Sequence, residues 1–212
     1  MKKYKAIIFD FDGVICNSVN VKTLAFANMY EQYGAEVVKK VVEYHKEHGG
    51  ISRYEKFKYY HKNYLGLELS DEQVQKMGKE FSDLAMQKVI DSNYIPFAHE
   101  FLTRNSKRYL QFICTGTPDI EIHEILKKKN IYELFNGVYG SPQTKVEIIN
   151  RILEINNLQN NEVVFLGDAM TDYNAAKKCN IDFIGILNDD TTFPATTITI
   201  NNFNDALLTK FL

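Results

Sequence analysis

The chain is predicted to fold as a doubly wound α/β protein, a parallel sheet flanked by helices, with an all-helical unit inserted after the first strand. Three observations predict this. Short apolar runs rich in Ile, Val and Phe recur at residues 5–9, 109–114, 163–166 and 183–187, the pattern of strands buried on both faces. Stretches of helical period alternate with these runs. Residues 19–93 contain no convincing strand and repeat Tyr, Lys and Glu at helical intervals.

Taken in order, the first run is Ile7-Ile8-Phe9-Asp10-Phe11-Asp12-Gly13-Val14, an apolar strand that delivers two carboxylates at its end before a glycine turn. The inserted segment follows. Tyr54, Phe57, His61 and Leu65 can share one helix face, as can Phe81, Leu84, Ala85 and Val89, while Gly49-Gly50 and Gly66 mark breaks. An insertion at this place sits over the strand ends as a lid. The second run ends in Cys114-Thr115-Gly116 and leads into a helix over 117–129, with Thr117 as N-cap, Pro118 at its first position and Ile122, Ile125 and Leu126 turned inward. A further helix spans 145–153, with Val146, Ile149, Ile152 and Leu153 inward. The third run leads through Gly167-Asp168 into a helix over 171–179, and the fourth closes the core. The division is a core of residues 1–18 and 94–212 around a helical cap of 19–93.

Composition narrows the class of function. A chain of 212 residues can bury a sizeable core as one domain, or one domain with an insertion. With 45% hydrophobic and 25% charged residues and a net charge of −2, no basic excess points to nucleic acid or to an anionic membrane surface. No apolar run is long enough for a membrane span. The apolar stretch behind Lys2 and Lys3 is short and contains Asp10 and Asp12, which a signal-peptide core would exclude. A cytoplasmic protein is expected. Cys16, Cys114 and Cys179 form no spaced framework and read as reduced thiols.

Four stretches carry the chemistry. In the first, Asp10 can serve as nucleophile and metal ligand and Asp12 as general acid/base, a division of labour that suits phosphoryl transfer. In the second, the Thr115 hydroxyl and the Gly116 amide can donate to a phosphoryl oxygen. In the third, Gly140-Ser141-Pro142-Gln143-Thr144-Lys145, a lysine stands at a helix start, where the helix dipole disfavours a cation. The placement makes sense if Lys145 faces an anion. In the fourth, Gly167-Asp168-Ala169-Met170-Thr171-Asp172, Asp168 can ligate a hard cation, and Asp172 can orient a metal-bound water or pair with Lys145. Mg²⁺ prefers such oxygen ligands. So many acids in one pocket would otherwise repel strongly.

These stretches, in this order, resemble the haloacid dehalogenase superfamily, specifically its phosphatase branch with a helical cap. The resemblance runs from Asp10 to Asp172 and implies a Rossmann-like core. It implies that Asp10 forms an aspartyl-phosphate, and that Asp12 protonates the leaving oxygen and then activates water. Thr115 and Lys145 hold the phosphoryl oxygens. Mg²⁺ is bound by Asp10, the Asp12 carbonyl and Asp168, with Asp172 in support. An acid at the Asp12 position separates phosphoryl chemistry from dehalogenation in this superfamily. Two departures stand out: Asn17 precedes Ser18 where many relatives have Asp, and Gly-Thr-Pro follows Thr115 rather than the Asn-containing version frequent in phosphoglycolate phosphatases.

The cap segment Gly49-Gly50-Ile51-Ser52-Arg53-Tyr54-Glu55-Lys56-Phe57 is the candidate for substrate contact, through Arg53 and Lys56, because its glycines let a loop dip toward the pocket and Arg53 offers a planar fork. His45 and His48 have the spacing of a metal pair but no third ligand, and are read as lying on a surface helix. The expected protein is a Mg²⁺-dependent phosphatase of a small phosphorylated metabolite, a sugar phosphate or phosphoglycolate-like acid, acting as a monomer or weak homodimer without nucleic-acid or membrane partners. A phosphomutase, a phospho-aspartate signalling receiver and a catalytically silent binding relative are the alternatives.

Overall fold

A computed structural model describes residues 4–189 and 191–212; Lys2 and Lys3 lie outside the described residues. Six strands form one parallel sheet in the order β3-β2-β1-β4-β5-β6: β1 (Ala6–Phe9), β2 (Leu110–Pro118), β3 (Gly137–Ser141), β4 (Val163–Gly167), β5 (Asp182–Ile186) and β6 (Ile198–Ile200). Four of these match the apolar runs. β3 and β6 are additional, and neither looks like a buried strand in sequence: β3 is Gly-Val-Tyr-Gly-Ser and β6 only three residues long.

The sheet core is apolar on both faces because helices cover both. One cluster includes Ile7, Phe9, Ile113, Leu166 and Ile184; the other includes Ile8, Phe112, Phe165, Ile149 and Ile152. Alternate residues of β1 thus enter opposite layers, as the two-residue period of a strand requires. The covering helices are α5 (Ala98–Asn105), α6 (Asp119–Lys128), α7 (Lys145–Ile155), α8 (Met170–Lys178) and α9 (Ala206–Phe211). α7 starts with a capping box in which the Thr144 hydroxyl accepts from the Glu147 amide, so Lys145 is fixed as its first residue.

Between β1 and β2 lie α1 (Val19–Tyr30), α2 (Ala35–Glu47), α3 (Arg53–Tyr60) and α4 (Asp71–Asp91), and no named strand is described in that segment. They have a core of their own, with Phe26, Tyr30, Val41, Phe57, Tyr60 and Phe81 at its centre. The inward face of α3 differs from the expected one. Arg53, Lys56, Phe57 and Tyr60 are the buried residues, whereas Tyr54 and Leu65 are only half-buried. No described helix is long and apolar enough to cross a membrane.

The topology also fixes where a ligand gathers. The chain winds outward from β1 through β2 to β3, then crosses to β4 and winds the other way. That reversal leaves a crevice at the carboxyl ends of β1 and β4, and Asp10 and Asp168 are the residues immediately after those two strands.

A carboxylate cluster and cationic cavity at the sheet crevice

Adjacent strands bring the first and fourth stretches together. Phe9 pairs with Leu166, and the Asp10 amide donates to the Leu166 carbonyl at 3.0 Å. Carboxylate oxygens of Asp10, Asp168 and Asp172 lie within 4.8 Å of one another, and all three residues are buried. Gly13, with φ of +76°, makes this possible: a Cβ there would collide with the Asp168 carboxylate.

Lys145 reaches into the cluster from the start of α7. Its Nζ donates to Asp10 Oδ2 at 2.9 Å and also to Asp172 Oδ1. Burial would lower the lysine, but Asp10 and Asp172 outweigh it and hold it well above its ordinary range. The Asp10 carboxylate further accepts the Phe11 amide at 2.7 Å. Asp168 is steadied by the Asn188 side-chain amide at 3.0 Å. Burial first, then Asp10 and Asp172, push the Asp168 carboxyl well above the usual range. Burial likewise raises Asp172, to about 6. Three buried carboxylates facing one lysine are short of positive charge, and a hard divalent cation with oxygen ligands fits that deficit.

Asp12 has different surroundings although it is only two residues from Asp10. Its carboxylate accepts from the Ser18 hydroxyl at 2.6 Å, Lys22 Nζ at 2.5 Å and the Thr117 hydroxyl at 3.1 Å. Burial would raise it, but Lys22 and these hydrogen bonds hold its carboxyl below the usual carboxylate range. Thr117 is therefore not the helix cap expected from sequence. β2 continues through Pro118, with a register shift between Cys114 and Pro118, and Pro118 itself stands at the N-cap of α6. The extended strand turns the Thr117 hydroxyl toward Asp12. Thr115, 1% exposed, sits alongside with its hydroxyl accepting the Thr117 amide at 3.2 Å.

A cavity of about 570 Å³ opens between these strand ends and the inserted helices, lined among others by Asp10, Asp12, Thr115, Gly116, Asp168, Lys22, Arg53 and Lys56. Lys145 instead faces a smaller neighbouring cavity of about 300 Å³ that shares Thr115 and Gly116. The Gly49-Gly50 loop lies over both. A Cβ on Gly50, whose φ is +77°, would strike Lys145 Nζ, and one on Gly116 would strike the Gly50 carbonyl. The Thr171 hydroxyl, at the start of α8, ties this loop down by donating to the Gly49 carbonyl at 2.5 Å.

Arg53 and Lys56 both line the cavity, in unlike states. The Arg53 fork is occupied: it pairs with both carboxylate oxygens of Glu121 at 3.2 and 2.7 Å and donates to Ser82 at 2.9 Å. Lys56, 1% exposed, contacts His45 Nδ1 at 2.8 Å. The surface-helix expectation is met only in part by His48, which is half-buried at the C-cap of α2 and stacks on Tyr44. It fails for His45, which is 8% exposed and packed against Phe26. Cys16 is buried, with its thiol pushed up to about 12 mainly by burial, so it is an inert packing residue.

Lys22, Ser18, Thr117, Asn188 and His45 were missed as site residues, and none sits in a motif of its own. For Lys22 the only sequence signal is its place one helical turn into the segment after Ser18.

The matches to known proteins agree with this arrangement. A family model described as haloacid dehalogenase-like hydrolase matches residues 7–186. A search of curated proteins finds no match. Among solved structures, a beta-phosphoglucomutase from Clostridium difficile aligns with a TM-score of 0.77 at 19% identity, over 95% of this chain and 92% of that one. A predicted phosphoglycolate phosphatase from Haemophilus somnus aligns at 0.74 and 18% identity over 99% of both. A protein from Bacillus subtilis described as a HAD-hydrolase bound to magnesium aligns at 0.68 and 16% identity over 96% of both. At such identities the structural likeness speaks for the fold, and the family model spans most of the chain, from β1 to the end of β5. On that family model, the chain belongs to the haloacid dehalogenase-like hydrolases.

Proposed function

We propose that this protein is a Mg²⁺-dependent phosphatase of small phosphorylated metabolites, working through an aspartyl-phosphate on Asp10. The observation that carries this reading is the unlike setting of the two acids on one strand end. Asp10 belongs to the acidic cluster with Lys145, and Asp12 is held apart by Ser18, Lys22 and Thr117. A nucleophile and an acid/base need such separation.

In the first half-reaction the Asp10 carboxylate attacks phosphorus, the ester P–O bond breaks, and protonated Asp12 gives its proton to the leaving oxygen. In the second, ionised Asp12 takes a proton from water, which attacks the aspartyl-phosphate and frees Asp10. The network that keeps Asp12 ionised suits this second step. Thr115, the Gly116 amide and Lys145 orient and neutralise the phosphoryl oxygens. Asp10, Asp168, the Asp12 carbonyl and, in support, Asp172 are the residues that would hold Mg²⁺, which when bound supplies further neutralisation of phosphoryl charge. The loop over Lys145 and Gly116 excludes water.

The test is phosphate release from a panel of sugar phosphates, phosphoglycolate and nucleotides, with and without Mg²⁺. Metal-dependent release supports the reading, and no release from any compound sinks it. The likeness to a beta-phosphoglucomutase fold favours phosphomutase as the second reading. It would show as isomerisation that needs a bisphosphate activator and yields no stoichiometric phosphate.

Two further outcomes are expected. Lys22→Met removes the cation that holds the Asp12 carboxyl down, so Asp12 protonates more readily and the pH–rate profile moves to higher pH; an unmoved profile would detach Lys22 from catalysis. The second concerns the metal. Because Asp168 and Asp172 titrate above their ordinary value, their contribution to the stability of the metal-free protein is present at low pH. It is lost as pH rises through the raised pKa values. Added Mg²⁺ needs those protons gone, so its increment in melting temperature grows between about pH 5 and about pH 7. Asp168→Asn removes most of that increment. An increment that is flat with pH, or intact in the variant, would place the metal elsewhere.

A further inference from the structure

We infer that the cap side of the large cavity is an oxyanion subsite built by Lys56 and His45, so that the substrate is a phosphate monoester whose other end carries a second acidic group. This rests on the phosphatase reading and narrows it.

The cations at the two neighbouring cavities differ in their partners. Lys22 is paired with Asp12, Arg53 with Glu121, and Lys145 with Asp10 and Asp172. Lys56 is more deeply buried than any of these, at 1% exposure, yet no carboxylate among the described residues lies within ion-pair distance of it. Among the described residues its Nζ meets only His45 in hydrogen bonds, at Nδ1 (2.8 Å) and at the carbonyl (3.4 Å), with the Phe26 ring 5.7 Å away. A buried ammonium without a counter-ion is costly. Burial, then Lys22 and Lys145, push it down to about 7, so an arriving anion would supply what the fold omits.

His45 completes the subsite. Burial, then Lys56, Lys22 and Lys46, push its imidazole well below the ordinary value, so the ring is neutral. With Nδ1 accepting from the Lys56 ammonium, the ring hydrogen sits on Nε2, for which no hydrogen-bond partner is described. The cavity therefore offers one ammonium and one N–H against the walls formed by Phe26 and Phe81. Lys56 and His45 line the same cavity of about 570 Å³ as Asp10, Asp12 and Thr115, so this end and the phosphoryl end belong to one ligand-sized space. Arg53, whose fork looked available in the sequence, is excluded from the subsite by its bidentate pair with Glu121.

The chemistry shared by possible second groups is an oxyanion, either carboxylate or phosphate. The test uses alkyl phosphates of two to four carbons, each beside its ω-carboxy and ω-phosphate counterpart. Binding is measured calorimetrically to Asp10→Asn protein with Mg²⁺, which prevents turnover. The acid-bearing compounds are expected to bind at least about tenfold tighter than their plain partners. The better of the two series names the oxyanion. Adding Lys56→Met should bring that ratio toward one, and the variant removes a buried charge at nearly constant volume. A ratio near one in the protein that retains Lys56 overturns the subsite without needing the variant to fold. So does a preference that survives both Lys56→Met and His45→Gln, or no binding by any compound. Phosphate release by the native protein is read separately. Release without acid preference sinks the subsite and leaves the phosphatase standing; acid-selective binding without release from any compound does the reverse.

Discussion

Asp10→Asn is expected to abolish phosphate release, by about 10⁴-fold or more, while leaving the metal-free protein close to the parent in stability. The activity loss follows from chemistry: an amide cannot form the acyl phosphate, and Asp12, the other carboxylate at this strand end, is held apart by Ser18, Lys22 and Thr117. The stability expectation follows from balance. Asp10 accepts the Phe11 amide and Lys145 Nζ on different oxygens, and asparagine keeps only one acceptor, losing about 1 kcal/mol. The substitution also removes a negative charge that raises Asp168 and Asp172, which offsets that loss. The stabilising increment from Mg²⁺ should shrink along with the activity. Thermal melting with and without Mg²⁺, run beside the phosphate assay, checks all three. Retained turnover would remove Asp10 as nucleophile. A loss of several kcal/mol without metal would instead make the Asp10–Lys145 pair a structural element.

How much of this was legible in the sequence depended on whether a residue's role is local. β1 and β4 announce themselves because a strand buried on both faces must be apolar throughout, and their terminal acids stand out against Ile7-Ile8-Phe9 and Val164-Phe165-Leu166. Topology then brings Asp10 and Asp168 together. β3 stayed hidden because two of its five residues are glycine, which propensity counts against a strand. Thr117-Pro118 imitates a helix start, and only pairing of Pro118 with Ser141 on β3 shows that the strand continues. Arg53 and Lys56 were recoverable in part: with Phe57 and Tyr60 they fall at i, i+3, i+4 and i+7 of one helix face. Their chemical types argue against a buried face, and the partners that permit it, Glu121 on α6 and His45 on α2, arrive from other elements. The same holds for Lys22 at Asp12. Nothing local marks a lysine in Val-Asn-Val-Lys-Thr-Leu as the counter-ion of a residue ten positions earlier.

Lys145→Ala should produce the largest combined effect, because this lysine is the one cation described in ion pairs with the acidic cluster. Removing it leaves Asp10 and Asp172 buried without their partner. Breaking a buried pair in this way typically costs about 3–5 kcal/mol, at the lower end here because Asp168 and Asp172 can take up protons instead. Turnover should fall by about 10²- to 10³-fold, the usual loss when a group that neutralises transition-state charge is deleted. Two comparisons separate charge from shape. Mg²⁺ should restore more stability to Lys145→Ala than it adds to the parent, since a divalent ion replaces part of the missing charge. Lys145→Arg should restore the charge but not the activity. The Gly50 backbone and the Thr171 hydroxyl crowd the ammonium so closely that a Cβ on Gly50 would strike both, and a planar guanidinium is wider than the space they leave. Full activity in Lys145→Arg would mean that charge alone suffices and that the loop closes less tightly than the Thr171–Gly49 hydrogen bond implies. An undiminished melting temperature in Lys145→Ala would mean that the three carboxyls already share protons in the parent, and the lysine would then serve the phosphoryl group and not the fold.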